Sequence, residues 1–107
     1  MGDVVSLLGS GKDFRCRFTY KVQDEAGGIA QALSLAENFA GGDRIAVILG
    51  DNIFEDSLRE QVGPFREQPR GARVLLKQVP DPQRFGVAEI KDGKVLSIEE
   101  KPKKPRS

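Results

Sequence analysis

Asp51 and Asn52 are the residues whose type and position most directly suggest chemistry. They follow an apolar run at residues 45–49 and the single residue Gly50. A run of this kind is typical of a strand buried on both faces of a parallel sheet, and open α/β sheets bind ligands at the carboxyl ends of such strands. Because Mg²⁺ prefers oxygen ligands and usually takes one or two protein carboxylates, Asp51 is a candidate metal ligand and catalytic residue. The alternative is structural, since Asp and Asn also form turns and cap helices, here one predicted to begin near Phe54.

Gln23 lies at a predicted turn between a strand and a helix, shortly before the glycine pair Gly27 and Gly28. An amide side chain offers one donor and one acceptor side by side, the pattern that pairs with the imide edge of thymine or uracil. Adjacent glycines let the backbone approach a ligand at the start of a helix, which makes Gly28 a second candidate. The alternative is a solvent-facing glutamine beside a flexible loop.

A second group of candidates lies in the last quarter of the chain. Side chains alternate along a strand, so only one of Glu99 and Glu100 can face a site. A carboxylate there can accept hydrogen bonds from sugar hydroxyls, and Lys101 can bind a phosphate. The alternative is that Glu99, Glu100 and Lys101 are a solvated run of charges at the end of a strand. Phe85 can stack on a sugar face beside the accessible backbone of Gly86, although core packing is the usual role of such a ring.

The elements that must position these residues alternate between strands and helices. The pattern predicts a helix-like start at residues 1–8, strands at 18–22, 45–49 and 74–76, and a helix from Ile29 to the glycines 41 and 42. It also predicts a second helix at 54–65, which Gly63 and Pro64 should break or kink. A turn at 80–82, a hairpin of 87–90 with 95–98 around Asp92 and Gly93, and an irregular tail at 101–106 complete the prediction. This order predicts an α/β fold in three layers, with a mainly parallel sheet and helices on both faces. No strand precedes the first helix and the chain ends soon after a strand, so we expect a partial domain.

Composition narrows the classes of function. The 17 basic and 16 acidic residues nearly cancel, which argues against binding to nucleic acid or to an anionic membrane surface. The sequence has no histidine, so catalysis by a histidine dyad and histidine-ligated zinc are excluded. Cys16 cannot form an internal disulfide, and with neither a signal peptide nor an 18-residue apolar run we expect a cytoplasmic protein.

Four motifs in a fixed order carry a resemblance to a known family. They are Q-x-x-x-x-G-[IL]-A-Q-A from Gln23, L-G-D-N-I-F from Leu49, D-P-x-R-[FY]-G-V-x-E from Asp81, and E-E-K-P from Glu99. Together they span nearly the whole chain and resemble the glucose-1-phosphate thymidylyltransferases among the sugar-1-phosphate nucleotidyltransferases. The uridylyl-, cytidylyl- and adenylyltransferase branches share the G-D and E-K-P elements, whereas the first two motifs favour the thymidylyl branch.

The resemblance implies a Mg²⁺-dependent reaction whose partners are a nucleoside triphosphate and a sugar-1-phosphate. An oxygen of glucose-1-phosphate attacks the α-phosphorus of dTTP in line and expels pyrophosphate, without a covalent enzyme intermediate. The residue roles that the resemblance implies are thymine binding by Gln23 and the backbone of Gly28, Mg²⁺ binding by Asp51 with Asn52 beside it, sugar binding by Gly86 and Glu100, and phosphate binding by Lys101. Phe85 occupies a position at which this family often has tyrosine. Phenylalanine lacks the hydroxyl contact of tyrosine, and this difference can change which sugar is preferred.

Two parts of the family pattern have no match in this sequence. The glycine-rich G-G-x-G-T-R-L loop with its following lysine is absent from residues 1–8, and a second metal-binding aspartate is expected beyond Ser107. We therefore expect residues 1–107 to be a partial nucleotidyltransferase domain without the N-terminal phosphate loop and the C-terminal part, inactive alone and prone to self-association through unpaired strand edges. The alternative function is a noncatalytic module that binds a nucleotide sugar.

Overall fold

The structure, a computed structural model, describes residues 2–106. Its helices are α1 (Gly2–Leu8), α2 (Ile29–Ser34), α3 (Glu37–Ala40) and α4 (Arg59–Glu67), its 3₁₀ turns are Lys12–Phe14 and Pro82–Arg84, and its strands are β1 (Gly86–Lys91) and β2 (Lys94–Glu100). The chain divides into two compact units, Met1–Asp56 and Ser57–Ser107. No helix among residues 2–106 is long and apolar enough to cross a membrane.

The first unit begins with α1, which confirms the predicted helix for residues 2–8, while Met1 lies outside the described residues. The loop after α1 is closed by two hydrogen bonds. The Phe18 amide donates to the Ser10 carbonyl at 2.8 Å, and the Tyr20 hydroxyl donates to the Gly9 carbonyl at 2.6 Å. These bonds hold the chain that leads into the turn at Gln23.

The helix predicted from Ile29 is divided into α2 and α3. The Ser34 hydroxyl donates to the Gln31 carbonyl at 2.6 Å, the oxygen that would otherwise accept from the Leu35 amide in an α-helix. The Leu35 amide bonds instead to the Ala32 carbonyl at 3.3 Å, a 3₁₀ spacing that ends α2. The predicted end at the glycine pair is confirmed, because α3 stops at Ala40 and Gly41 follows as its C-cap.

The strands predicted at residues 18–22, 45–49 and 74–76 are not formed, and this part of the sequence prediction is wrong for the described structure. A strand requires hydrogen bonds to a neighbour, and in the described part of the chain β1 and β2 are the paired strands. The apolar side chains of the unpaired segments stay exposed, with Val47 at 53% and Leu75 at 52%. Residues 2–106 therefore contain neither the parallel sheet nor the three layers expected of the fold.

Helix α4 begins later and continues further than predicted. It starts at Arg59, whose amide donates to the Ser57 hydroxyl at 3.3 Å, rather than near Phe54. The predicted break at Gly63 and Pro64 is wrong, because α4 includes both residues and ends at Glu67; the alternative of a kink stays a prediction. Pro64 removes one amide donor from the helix, and the remaining bonds maintain it for another turn.

The hairpin of β1 and β2 is confirmed, and it contains the buried apolar residue of the described chain, Ala88, which is 7% exposed. Asp92 and Gly93 form a two-residue turn with φ angles of 52° and 74°, and positive values at both positions are what a type I′ turn requires. The register has an irregularity between Glu89 and Ile90. The predicted turn at residues 80–82 is followed by the 3₁₀ turn Pro82–Arg84, and residues 101–106 carry no helix or strand, as predicted.

Candidate functional site

Gln23 and Gly28 are brought together in the first unit. The Gln23 side-chain nitrogen Nε2 donates to the Gly28 carbonyl at 3.2 Å and to the Gln31 side-chain oxygen Oε1 at 2.7 Å. Both hydrogens of this amide nitrogen therefore have acceptors within the protein. The predicted pairing through a donor and an acceptor side by side is therefore wrong for the donor, and Oε1 of the exposed Gln23 side chain remains as an acceptor.

The two glycines of this turn differ in their environment. Gly28 has a φ of 94° and a ψ of 177°, a conformation that other residues rarely adopt, and it immediately precedes α2. Gly27 leaves room for the side-chain amide of Gln31, which a Cβ atom at residue 27 would displace. Gln23 is exposed, as the alternative prediction of a solvent-facing glutamine has it, and its side chain is hydrogen-bonded to Gly28 and Gln31.

Asp51 and Asn52 form an exposed turn after residues 45–49. The Asn52 amide donates to the Leu49 carbonyl at 3.1 Å, which closes the turn. The prediction of a helix cap is wrong for both residues, because α4 begins only at Arg59. The two oxygen-bearing side chains are therefore exposed in a turn. No group of three or more acidic, histidine or cysteine residues that could hold a metal is found among residues 2–106.

Gly86 and Glu100 are paired across the hairpin in the second unit. A Cβ atom at residue 86 would lie 3.2 Å from Glu100 Oε2, so the carboxylate lies directly over the glycine. Glu99 pairs with Val87 on the other face, where its Oε1 lies 3.2 Å from the Arg106 nitrogen Nε. Glu99 and Glu100 lie on opposite faces of the hairpin, as predicted: the Glu99 side chain is ion-paired, whereas the Glu100 side chain has no hydrogen bond or ion pair within residues 2–106.

Lys101 follows Glu100 and leaves the strand at a sharp bend. Its φ of 45° is in the left-handed region, which is uncommon for a residue with a side chain. Its amide still donates to the Phe85 carbonyl at 2.9 Å, so the bend is fixed to the start of β1. Phe85, Gly86, Glu100 and Lys101 therefore form one cluster at the open end of the hairpin.

Phe85 in this cluster is half exposed, which excludes a buried core position for the ring in the described structure. The Arg84 guanidinium lies 5.9 Å from the ring centroid, and its Nη1 atom lies 3.0 Å from Asp81 Oδ2. One face of the ring thus has a cation–π partner, and a sugar would have to stack on the other face.

Arg106 is a residue that sequence reasoning missed. Its Nη1 atom lies 3.1 Å from Glu89 Oε2, an oxygen that also accepts a hydrogen bond from the Ser97 hydroxyl at 3.1 Å. Together with the contact to Glu99, this joins the tail to both strands of the hairpin. The charge of Arg106 was visible in the sequence, but nothing local showed that the proline-containing tail turns back.

The structure therefore provides two groups of sequence-predicted residues, one in each unit. Gln23 with Gly28 forms the first group, and the cluster around Glu100 forms the second. Asp51 and Asn52 belong to the first unit as a separate turn.

Comparison with known proteins identifies the family. Residues 2–107 match the model of the family described as nucleotidyl transferase. The chain belongs to the nucleotidyl transferase family. The glucose-1-phosphate thymidylyltransferase of Neisseria meningitidis serogroup A is 43% identical over 103 residues, which cover 94% of this chain and 36% of that protein. The glucose-1-phosphate thymidylyltransferase of Xanthomonas campestris pv. campestris is 45% identical over 108 residues, covering 95% of this chain and 35% of that protein.

A solved structure gives the same family assignment. It is a crystal structure of a Bacillus anthracis protein, named provisionally as a glucose-1-phosphate thymidylyltransferase, in complex with a sucrose. It matches this nucleotidyl transferase chain with a TM-score of 0.94 and 63% identity over 100% of this chain and 44% of its own. The chain thus spans about a third of the length of these curated relatives and less than half of the solved one. The predicted resemblance to nucleotidyltransferases is confirmed.

Proposed function

We propose that residues 1–107 are part of a nucleotidyltransferase that forms dTDP-glucose and pyrophosphate from dTTP and glucose-1-phosphate. The observation that carries this proposal is the 43–45% identity to proteins named glucose-1-phosphate thymidylyltransferase over nearly the whole chain. In this reaction a phosphate oxygen of the sugar forms a new bond to the α-phosphorus of dTTP as the bond to pyrophosphate breaks. Such chemistry depends on positioning and charge stabilisation more than on a protein nucleophile, which suits a chain without histidine.

In this proposal the first unit binds the base. Gln23 Oε1 accepts the hydrogen on N3 of thymine, and the backbone amide of Gly28 donates to a neighbouring carbonyl oxygen of the base. The contacts that support this are the two hydrogen bonds of Gln23 Nε2, which occupy both of its hydrogens and leave Oε1 as the part of the amide available to the base.

The second unit binds the sugar phosphate. The Glu100 carboxylate accepts hydrogen bonds from sugar hydroxyls above Gly86, Lys101 meets the phosphate, and Phe85 covers the sugar with its free face. This assignment is supported by the unpaired carboxylate of Glu100 and by the bond that fixes Lys101 to Phe85.

Asp51 is the proposed ligand of Mg²⁺, with Asn52 beside it. Both side chains offer oxygen atoms, the donors that Mg²⁺ prefers, and a single carboxylate is sufficient because phosphate oxygens and water complete its shell. The ion would neutralise phosphate charge during the transfer. We also propose that in the complete domain residues 45–49 join a mainly parallel sheet with helices on both faces, which would place Asp51 at its carboxyl edge.

The test is a pyrophosphate-release assay on the protein extended on both sides of residues 1–107 to the length of its relatives, which we call the extended protein. With Mg²⁺ and glucose-1-phosphate, we expect turnover with dTTP to exceed turnover with UTP, CTP or ATP. Absence of pyrophosphate release with every nucleoside triphosphate would overturn the proposal. Preference for UTP, CTP or ATP would instead assign the protein to the uridylyl-, cytidylyl- or adenylyltransferase branch.

A further inference from the structure

Gln31 contacts Gln23 but has no role of its own in the binding of base and sugar proposed above. Its Oε1 atom accepts a hydrogen bond from Gln23 Nε2 at 2.7 Å, the shortest hydrogen bond that Gln23 makes in the described structure. The second bond of Gln23 Nε2, to the Gly28 carbonyl, is longer at 3.2 Å. The Gly28 carbonyl also accepts from the Ala32 amide at 3.1 Å, so it is shared between two donors. Gln31 is therefore the main partner of the Gln23 amide.

The orientation of the Gln23 amide follows from these partners. A backbone carbonyl can only accept hydrogen bonds, so the Gln23 atom beside the Gly28 carbonyl must be the nitrogen. The second hydrogen on that nitrogen requires another acceptor, and Gln31 Oε1 supplies it. Rotating the Gln23 amide by half a turn would place its oxygen against the Gly28 carbonyl oxygen, which is unfavourable, and also against Gln31 Oε1 as long as the Gln31 amide keeps its orientation.

The Gln31 side chain lies against the backbone at Gly27. The Gln31 amide lies so close to the backbone there that a Cβ atom at residue 27 would collide with it. No positive φ is needed at Gly27, in contrast to Gly28. The glycine at residue 27 therefore provides room for Gln31 rather than freedom for the backbone.

We infer that Gln31 is a positioning residue that fixes the amide of Gln23 so that its Oε1 atom alone faces the nucleotide base. An acceptor oxygen favours a base whose ring nitrogen carries a hydrogen, as N3 of thymine or uracil does. N3 of cytosine is itself an acceptor and is disfavoured at the same position. This inference rests on the proposed function, since it assigns the base specificity of the proposed site to a residue that does not touch the base.

Binding, rather than turnover, is the measurement that tests it. Calorimetric titration of the extended protein with dTTP and with dCTP gives the ratio of their dissociation constants, and both ligands carry the same triphosphate charge. Gln31→Met removes the acceptor while keeping the length of the side chain, and we expect the preference for dTTP over dCTP to fall on the order of tenfold. Gln31→Glu retains an acceptor oxygen and should retain the preference for dTTP over dCTP. Its negative charge should lower the affinity for both ligands equally.

Two further measurements keep the test independent of how well one variant folds. Gly27→Ala displaces the Gln31 side chain without changing its chemistry, so it should reduce the dTTP preference as Gln31→Met does. N3-methyl-dTTP lacks the hydrogen that Gln23 Oε1 accepts, so the unaltered protein should bind it at least tenfold more weakly than dTTP.

An unchanged dTTP preference in both Gln31→Met and Gly27→Ala would overturn the inference, as would equal binding of dTTP and N3-methyl-dTTP. The proposed function fails by different results, which are the absence of dTTP binding or the binding of dTTP without release of pyrophosphate.

Discussion

Gly86 and Glu100 face each other across β1 and β2, and a Cβ atom at residue 86 would lie 3.2 Å from Glu100 Oε2 and 3.8 Å from Ile98 Cγ2. The first distance is shorter than ordinary van der Waals contact, so a side chain at residue 86 must displace the carboxylate by a few tenths of an ångström. The absence of a side chain at Gly86 is thus coupled to the position of the proposed sugar ligand.

Gly86→Ala should therefore weaken sugar binding selectively. In the extended protein we expect the KM for glucose-1-phosphate to rise about tenfold, because the hydrogen bonds of Glu100 depend on its position, while the KM for dTTP changes little. Steady-state kinetics with each substrate varied in turn measure both values. Gly42→Ala is the matched control, since a Cβ atom at residue 42 has open space around it. An unchanged KM for the sugar phosphate in Gly86→Ala would contradict the assignment of Glu100 as a sugar ligand.

Arg106 offers a second prediction, because it ties the tail that begins with Lys101 to the hairpin through Glu89 and Glu99. These ion pairs are partly exposed, so their contribution to the free energy of unfolding is small, about 1 kcal/mol or less. We expect the ion pairs to act mainly by holding the tail, and with it Lys101, in one conformation. Arg106→Ala should raise the KM for glucose-1-phosphate about threefold to tenfold with little change in melting temperature.

Lys103→Ala is the control for this prediction, since it removes a positive charge from the same tail at a residue with no ion pair among residues 2–106. If Lys103→Ala and Arg106→Ala raise the KM equally, the effect is one of general charge and the ion pairs with Glu89 and Glu99 do not position Lys101.

Features encoded by neighbouring residues were predictable from the sequence. The Asp92 and Gly93 turn determined the hairpin, and strand alternation separated Glu99 from Glu100. Gln23 and Gly28 were each selected as candidates from the sequence, and the structure adds the hydrogen bond between them. The hairpin turn and the strand alternation depend on local geometry that the sequence specifies directly.

Other features depend on partners that the local sequence does not reveal. Residues 45–49 have the composition of a buried strand, but a strand forms only when a neighbour supplies hydrogen bonds, and this chain spans about a third of its curated relatives. The division between α2 and α3 depends on one hydrogen bond, which the Ser34 hydroxyl donates to the Gln31 carbonyl. Gln31 lay within the first sequence motif, but its role depends on the side-chain contact with Gln23, which spacing alone did not show.

The 107-residue chain alone should self-associate. The apolar side chains of residues 45–49 are exposed, with unpaired backbone beside them, and such segments pair with other chains. Sedimentation velocity at micromolar concentration should show species larger than the monomer, and the thermal transition should be broad. Ile48→Lys should reduce the association, because it places a charge within the apolar segment. A sharp cooperative melt of a clean monomer would contradict this prediction.

Asp51→Asn separates metal binding by this turn from a purely structural role. The helix-cap explanation no longer applies, because α4 starts at Arg59, and asparagine fits an exposed turn as well as aspartate does. As the Mg²⁺ ligand, Asp51 supplies the charge that holds the ion, so Asp51→Asn in the extended protein should lower turnover about a hundredfold or more. Its melting temperature should stay within the small change expected of an exposed substitution.

Asp92→Asn is the matched control for Asp51→Asn, since it makes the same chemical change in another exposed turn, where Asn-Gly suits a type I′ turn as well as Asp-Gly. We expect Asp92→Asn to retain normal turnover. Binding of dTTP without metal should be nearly equal in Asp51→Asn and the unaltered protein, because base recognition is assigned to Gln23 and Gly28. Near-normal turnover in Asp51→Asn would leave Asp51 as a turn residue, and a large loss of metal-free dTTP binding would place it in the base site instead.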